Sequence, residues 1–228
     1  MSTSRFMPHP LLVAAALVAA SGPALAIKPF TADYSASYMG MQANGQMTLA
    51  AAGANQWKYS LNIRNQLADL TQSTTFEDSN GAWRPLSGND NSKVLVKKSK
   101  KLATYDWGKG VATWTGDVKR ERAGPIKLQA GDLDALLVNL ALVRDVQAGK
   151  PLRYRMVEDG RVKQLNYTVA GKEAIDIGGV SKQATKVVNR DGNKQTTAWV
   201  VDGMPVPARI LRTEDGEDSL DLRVKSVR

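Results

Sequence analysis

Apolar and polar residues alternate along most of this chain, and a two-residue period is typical of β-strands with one buried face. In the segments 30–38 and 57–64 every second side chain is apolar, and the side chains between them are polar. The apolar positions include Tyr34, Tyr38 and Tyr59. We therefore expect each segment to form a strand that buries one face and exposes the other.

Shorter segments of the same kind fill much of the remaining chain, separated by residues that favour turns. Before the middle of the chain, strands are predicted at Thr71–Glu77, Trp83–Ser87, Lys93–Lys98, Leu102–Trp107 and Val111–Thr115. In the second half, strands or hairpins are predicted at Leu152–Met156, Val162–Val169, around Gly178-Gly179, around Asp191-Gly192-Asn193, and at Trp199–Val201, Ile210-Leu211 and Leu220–Val227. Such spacing is typical of an antiparallel meander.

After the N-terminus, one long segment, Gly131–Val146, follows a helical period instead. Asp132 is placed to cap this helix, because a carboxylate there accepts hydrogen bonds from unpaired backbone N–H groups. Arg144 near the other end is favoured by the helix dipole. Spacings of three and four predict one apolar stripe, formed by Leu133, Leu136, Leu137, Leu140 and Val143.

This order of strands, one helix and further strands predicts a mostly β fold. An antiparallel sheet of about ten strands tends to curl, and a helix with one apolar stripe can cover its concave face. Parallel α/β winding is excluded, because it requires a helix at nearly every crossover. We predict a single domain over residues 27–228, built as one large curved antiparallel sheet or partly open barrel, with the helix near 132–146 on its concave face.

The N-terminus has the pattern of a secretory signal peptide. Arg5 precedes the apolar run Leu11–Ala20, and Ala24 and Ala26 supply the small residues that a signal peptidase requires. A retained membrane anchor is the alternative, but the run is shorter than the roughly 20 residues of a bilayer span. We predict cleavage after Ala26, which makes residues 27–228 a soluble periplasmic protein and not an integral membrane protein.

Cleavage also removes chemistry that enzymes use near neutral pH. The sequence contains no cysteine, and its one histidine, His9, precedes the predicted cleavage site. Thiolate catalysis, disulfides and zinc–thiolate sites are therefore excluded. The net charge of +9 falls by one with Arg5. We expect neither enzymatic activity nor a cofactor, although carboxylate or Ser/Lys mechanisms survive in principle.

Acidic pairs occur in predicted turns rather than in a ligand pattern. Glu158-Asp159 and Glu214-Asp215 each precede a glycine, where carboxylates serve local hydrogen bonding and solubility. A calcium loop needs oxygen ligands at alternating positions and a closing Glu, and that spacing is missing. No metal site is expected.

A basic run indicates a charged surface. Lys97, Lys98, Lys100 and Lys101 lie close together in the chain. In one interpretation these lysines belong to a solvated hairpin and keep a sheet edge from pairing with other chains. In the other they contact anionic lipid headgroups. Nucleic acid is not an expected partner, because neither a recognition helix nor a base-stacking platform accompanies the run.

Aromatic and leucine side chains on the predicted sheet and helix faces also allow two interpretations. Core packing is one, because half-buried strands normally contain aromatic residues. A cavity between sheet and helix that receives an acyl chain or another apolar ligand is the other. The candidate ligand-binding residues are Tyr34, Tyr38, Trp57, Tyr59, Leu133, Leu137, Leu140 and Trp199.

Three segments of the chain are similar to segments of one known family. They are Phe30-x-x-x-Tyr34 with Gly40, Asp132-x-x-Ala135-Leu136-x-x-x-Leu140 through Arg144, and Ala198-Trp199-x-x-Asp202 followed by Pro207-x-Arg209. Together they resemble the exported bacterial proteins of the domain-of-unknown-function family DUF3108. The resemblance covers nearly all of residues 27–228. It implies a Gram-negative envelope protein with one mostly antiparallel β domain, and it implies no catalytic residue.

Three functional hypotheses remain. The first is a periplasmic protein that binds an apolar or amphiphilic, lipid-like envelope component between sheet and helix. The second is an interaction or structural module, whose strand edges or basic hairpin dock another envelope protein. The third is an enzyme of the carboxylate or Ser/Lys type. A continuous apolar cavity beside the helix would favour the first hypothesis, and a polar pocket with converging Asp, Glu, Lys or Ser would favour the third.

Overall fold

The computed structural model describes residues 27–38 and 40–228, and the predicted signal peptide, residues 1–26, lies outside this range. Within it the chain forms fifteen strands, the α-helix α1 (Ala135–Gln147) and a short 3₁₀-helix (Arg120–Arg122). The strands are β1 (Phe30–Tyr38), β2 (Met41–Ala51), β3 (Gln56–Arg64), β4 (Ala68–Ser79), β5 (Ala82–Val94), β6 (Lys97–Asp106), β7 (Val111–Gly116), β8 (Ile126–Lys127), β9 (Arg153–Glu158), β10 (Arg161–Asn166), β11 (Thr168–Ile177), β12 (Val180–Asp191), β13 (Lys194–Val201), β14 (Arg209–Glu214) and β15 (Glu217–Val227).

Thirteen of the strands in the described residues form one sheet, in the order β11-β12-β13-β14-β15-β1-β2-β3-β4-β5-β6-β7-β8. Neighbouring strands are antiparallel throughout, and β9 and β10 form a separate hairpin. The first strand lies inside the sheet, because Ala32 pairs with Met47 of β2 on one side and with Val227 of β15 on the other. The predicted mostly β, antiparallel fold with one main helix is confirmed in this part of the chain.

The sheet is larger than the predicted sheet of about ten strands, and its strands β5 and β6 also have other bounds than the predicted strands of that region. The stretch Gly88–Asn91 has turn composition but lies within β5, and Lys100-Lys101 lies within β6. The predicted strand Lys93–Lys98 instead contains the turn Leu95-Val96. Pairing with both neighbouring strands satisfies the backbone groups of this region, so tertiary structure overrides its turn propensity.

The helix begins later than its apolar pattern predicts. Its N-cap is Asp134, whose Oδ1 accepts a hydrogen bond from the backbone N–H of Leu137 at 2.8 Å. Asp132 was the wrong choice of cap, because its buried carboxylate forms an ion pair with Arg155 of β9. Both aspartates have suitable chemistry, and the pairing with β9 decides between them.

Leu133 is therefore outside the helix. Its backbone forms an isolated parallel bridge with Met156, and its carbonyl oxygen accepts the N–H of Val157 at 2.8 Å. The chain stays extended along β9 until Asp134. The predicted stripe from Leu133 to Val143 consequently starts at Leu136 on the helix itself.

The C-terminal half of α1 is anchored by polar contacts as well as by burial. Arg144 lies 4.3 Å from the ring centroid of Trp83 and donates to the carbonyl oxygen of Gly81 at 2.8 Å. Gln147 donates to the carbonyl oxygen of Met204 at 2.9 Å. These contacts attach the end of the helix to the β4–β5 turn and to the segment after β13.

One face of the sheet, the helix face, packs against α1 and forms the main core. Tyr34, Met47 and Tyr59 on this face are fully buried, as are Leu137 and Leu142 of the helix. Apolar alternation along β1, β2 and β3 brings the buried strand residues to this face. None of the helices within residues 27–38 and 40–228 has the length and hydropathy needed to cross a membrane.

Candidate functional site

Two of the predicted ligand-binding tyrosines lie in the core with their hydroxyl groups satisfied. Tyr34 donates to the carbonyl oxygen of Pro207 at 2.8 Å, and Tyr59 donates to Sδ of Met47 at 3.1 Å. Burial raises the pKa of both phenols well above its ordinary value. These side chains therefore contribute packing and internal hydrogen bonds.

The predicted leucines and Trp57 belong to the same core. Leu133, Leu137 and Leu140 are buried in the cluster that contains Tyr34, and Trp57 is half-buried against it. The side of α1 that carries Leu137 and Leu140 is thus covered by protein. The structure brings these residues together, but as neighbours in a packed region.

Trp199 lies on the opposite face of the sheet from α1. Its ring is between Lys186, at 5.3 Å, and Arg209, at 4.7 Å from the ring centroid, and its Nε1 donates to Glu173. It borders a cavity of about 580 Å³ between β11 and the strands β13–β15. The structure does not bring Trp199 into a common cavity with Tyr38.

A cavity of about 270 Å³, which we call the apolar cavity, lies beside the first turn of α1. Among the predicted ligand-binding residues, it is Tyr38 that borders the apolar cavity. Its polar lining consists of Gln72, Asp90, Ser92, Asn139 and Arg212. Its apolar lining consists of Tyr38, Met47, Leu61, Ile63, Leu70, Ala135, Leu136, Ile210, Leu220 and Leu222.

Cross-strand register explains why the core opens at this point. On the helix face, Leu61 of β3 pairs with Gln72 of β4, which pairs with Asp90 of β5. The next row runs from Ile63 through Leu70 to Ser92. Each row therefore changes from apolar to polar between β3 and β5. Polar side chains on β5 cannot close against a leucine stripe without losing hydration, so the cavity has an apolar side and a polar side.

A second cavity, of about 240 Å³, adjoins the apolar cavity and shares Gln72, Asp90 and Leu136 with it. We call it the carboxylate pocket, because four acidic side chains and one lysine line it: Asp90, Asp134, Glu158, Asp159 and Lys101. The lysine Nζ lies 3.1 Å from Asp159 Oδ1. The elements β4, β5, β6, the start of α1 and the β9–β10 turn bring these side chains together.

Three carboxyl groups of this pocket, those of Asp90, Asp134 and Glu158, have a raised pKa. Burial, reinforced by the negative charge of Asp134, raises the pKa of Glu158 to about 8. Burial also raises the pKa of Asp134, although hydrogen bonds from Thr74 and from the backbone N–H of Leu137 oppose the rise. The pKa of Asp90 is raised by burial against the opposing charge of Lys101. A carboxyl group with a pKa near 8 can hold or release a proton around neutral pH.

A third cavity, of about 300 Å³, lies on the other side of the first helical turn. We call it the charged cleft. It shares Ala135, Asn139 and Arg212 with the apolar cavity and Glu158 with the carboxylate pocket. Arg212 is exposed, and its positive charge partly opposes the raised pKa of Glu158. The guanidinium group of Arg212 therefore lies where the apolar cavity meets the charged cleft.

The basic run divides between two environments. Lys97, Lys98 and Lys100 are exposed on the β5–β6 hairpin, whereas Lys101 is half-buried and pairs with Asp159. β7 pairs with β6 from Lys101 to Asp106, so the part of β6 that carries Lys97, Lys98 and Lys100 extends beyond β7. Protection of this strand edge therefore stays one interpretation of the lysines.

Sequence reasoning missed the residues that distinguish the cavities from the core. Composition places Asp90 in a turn and Glu158 among the solvated turn acids, and the sequence pattern does not single out Leu70 or Arg212. A bulge between Pro85 and Ser87 shifts the alternation within β5, so alternation continued from the buried Trp83 would have placed Asp90 on the opposite face. The described residues contain no group of three or more His, Cys, Asp or Glu side chains that could hold a metal ion.

A single antiparallel sheet covered on one face by one helix, with cavities around the helix N-terminus, defines a class of mostly β proteins. The particular family is identified by the match of residues 33–223 to the model described as "Protein of unknown function (DUF3108)". The match spans most of the chain, so the protein belongs to this family and the resemblance is confirmed.

The fold is similar to that of a solved protein from Brucella abortus, described as a beta-barrel-like protein of domain of unknown function DUF1849. That similarity has a TM-score of 0.53 with 14% identity, and covers 88% of this chain and 97% of the other. The Pseudomonas aeruginosa MucA/MucB complex matches with a TM-score of 0.41 and 8% identity, covering 88% of this chain and 51% of that one. A putative outer membrane lipoprotein-sorting protein domain from Vibrio parahaemolyticus matches with a TM-score of 0.25 and 9% identity, covering 88% of this chain and 84% of that one. A comparison with curated proteins found no match.

Proposed function

We propose that this protein is a periplasmic binding protein for a single-chain amphiphile with an anionic head, and that it does not catalyse a reaction. The observation that supports the proposal best is the apolar cavity beside α1, whose leucine-lined wall ends at Arg212. The predicted signal peptide supports the compartment. The same compartment contains the lipids and acyl compounds of the envelope.

The apolar wall supplies the site for the chain of the ligand. Leu61, Leu70 and Leu220 are half-buried rather than buried, so their remaining apolar surface is open to a ligand. Burial of apolar surface contributes about 25 cal/mol per Å². A volume of about 270 Å³ lies just below the usual range for ligand sites, which is about 300–1,000 Å³. This size favours one acyl chain over a two-chain lipid.

Arg212 supplies the site for the head of the ligand. A guanidinium group binds carboxylate or phosphate with two parallel hydrogen bonds. Asp90 lines the apolar cavity and Glu158 lines the charged cleft, both together with Arg212, and the raised pKa of each carboxyl group biases it towards its protonated form. They therefore repel an anion less than ordinary carboxylates would.

Dodecanoate binding, measured by isothermal titration calorimetry, tests the proposal. The protein is recovered after export, and its N-terminus is determined by mass spectrometry, which also tests cleavage after Ala26. We expect dodecanoate to bind and Leu61→Trp to abolish binding by filling the cavity. Arg212→Glu should weaken the binding of dodecanoate on the order of tenfold. The binding of dodecanol, which has no charge, should be affected less.

Val169→Trp is the matched control, because Val169 is exposed on β11 away from the cavity. It introduces the same side chain and should leave binding unchanged. Thermal unfolding of each variant shows whether the fold is retained. Equal dodecanoate binding by wild type and a folded Leu61→Trp variant would contradict the proposed site.

A carboxylate enzyme is the second candidate, and the carboxylate pocket favours it. A protonated Glu158 beside Asp134 resembles the pairing of an acid with a neighbouring carboxylate that several hydrolases use. Wild type and Glu158→Gln should be compared on chromogenic esters, glycosides and phosphomonoesters. Turnover that depends on Glu158 would favour this candidate, and no turnover on all three classes would count against it.

A further inference from the structure

The β5–β6 turn differs in chemistry from the β4–β5 and β14–β15 turns of the sheet. Asn80-Gly81 joins β4 to β5, and Asp215-Gly216 joins β14 to β15. The first residue of each has a positive φ, as Asn, Asp and Gly tolerate. Leu95-Val96 occupies the equivalent place between β5 and β6, with Leu95 at φ 54°. A leucine in this region of φ is strained, so turn formation alone does not explain its presence.

Both apolar side chains of this turn point into solvent. Val96 is 95% exposed and Leu95 is 61% exposed. The backbone N–H of Leu95 donates to the carbonyl oxygen of Leu67 at 2.7 Å, which brings the β3–β4 turn alongside. Leu67 is itself 51% exposed. Eight large apolar side chains are exposed in the described residues, and these three with Val94 make up half of them.

Lysines lie next to the exposed side chains of Leu95 and Val96. Lys93, Lys97 and Lys98 are exposed within two positions of the turn, and Lys100 follows on the same strand. Nearby Asp69 is already paired with Arg64 at 2.6 Å. Exposed aliphatic side chains ringed by ammonium groups complement a surface that has negative charge outside and hydrocarbon beneath.

We propose that the β3–β4 and β5–β6 turns form a docking tip for an anionic lipid bilayer. Leu67, Leu95 and Val96 would enter the acyl region while Lys93, Lys97 and Lys98 contact phosphate groups. The tip lies close to the apolar cavity, because Ser92 of the cavity lining is two residues from Val94, about 7 Å along the strand. Docking would thus bring the cavity to the membrane surface. This inference goes beyond ligand binding and does not depend on it.

Sedimentation with vesicles tests the tip. Protein recovered after export is mixed with phosphatidylglycerol/phosphatidylethanolamine vesicles or with phosphatidylcholine vesicles, without dodecanoate. We expect binding to the anionic vesicles that weakens as salt rises. The Leu95→Asp/Val96→Asp double variant should lose binding, and Lys97→Glu/Lys98→Glu should weaken it on the order of tenfold or more. Equal binding to both kinds of vesicle would overturn the proposal.

Val180→Asp is the matched control, because Val180 is an exposed valine beside another hairpin turn. It should bind vesicles as wild type does. A Val96→Trp variant gives an independent reading: its fluorescence should shift to the blue on anionic vesicles, and that of Val180→Trp should not. Unshifted fluorescence of Val96→Trp, or vesicle binding by the folded Leu95→Asp/Val96→Asp variant, would contradict the proposed docking tip. Dodecanoate binding without vesicle binding would leave the ligand site intact and refute the tip alone.

Discussion

The two ends of α1 meet the sheet differently, although both present apolar side chains to it. At the C-terminal end, Leu142 is buried and Arg144 lies against Trp83. At the N-terminal end, Ala135 and Leu136 border cavities. The difference comes from the strands, which are apolar opposite one end and become polar opposite the other. A leucine stripe therefore identifies a helix face that needs a partner, and the partner decides whether that face is core or cavity wall.

The largest expected effect concerns packing. Leu142→Ala should lower the free energy of unfolding by about 2–5 kcal/mol, because removing a fully buried leucine leaves a cavity. Leu61→Ala, in the half-buried wall, should cost about 1 kcal/mol or less. Urea unfolding monitored by circular dichroism measures both. Equal losses of unfolding free energy in the two variants would contradict the proposed difference between the two ends of α1.

A smaller effect concerns the pH dependence of stability. Because the pKa of Glu158 is raised to about 8 in the folded state, the folded protein binds more protons than the unfolded chain between about pH 4.5 and 8. Its free energy of unfolding should therefore fall as pH rises through this range and level off above it. Between about pH 4.5 and 8, the free energy of unfolding of Glu158→Gln should fall by about 1–3 kcal/mol less than that of wild type, a range that allows for solvent screening.

Urea unfolding at several pH values compares the two proteins. Glu214→Gln is the control, because Glu214 is an exposed turn acid. Parallel curves for wild type and Glu158→Gln would show that Glu158 titrates as an ordinary carboxyl group. A slope of opposite sign would show that its carboxylate is stabilised in the fold.

The smallest effect concerns two tyrosines of the same strand. Tyr34→Phe should lower stability by about 1 kcal/mol, because it leaves the buried carbonyl oxygen of Pro207 without its donor. Tyr38→Phe, at the cavity, should change stability by less than about 0.5 kcal/mol. Thermal unfolding resolves the pair. A larger loss for Tyr38→Phe would place it within the packed region instead.

Much of the architecture could be predicted from the chain alone. Alternation in β1 and β3 indicates the buried faces, and the period of residues 131–146 indicates the helix. The predicted bounds of β5 and β6 were wrong because β5 contains Gly88–Asn91, whose composition favours turns, and the predicted number of about ten strands was too low for a sheet of thirteen. The helix start was wrong because two aspartates, Asp132 and Asp134, have equivalent capping chemistry, and contact with β9 chooses between them.

The candidate site was harder to predict, because it depends on cross-strand register. Alternation shows that Leu61 and Leu70 are apolar positions, but it does not show that Asp90 lies next to them on the helix face. Arg212 reaches the same cavity from β14, far away in sequence. Aromatic residues such as Tyr59 suggested a ligand wall by their chemistry, and they form the core because the helix covers them.

The position of β1 inside the sheet has a consequence for how the protein assembles. Its partner β15 is the last strand, so the ladder from Ala32 to Val227 joins the two ends of the described chain. Contacts of such long sequence separation form late and slow folding. Until β15 emerges, β1 has a free edge and the strands on either side of the ladder remain two separate halves. Under the proposed export, we expect the sheet to be completed only after the C-terminus has crossed the membrane.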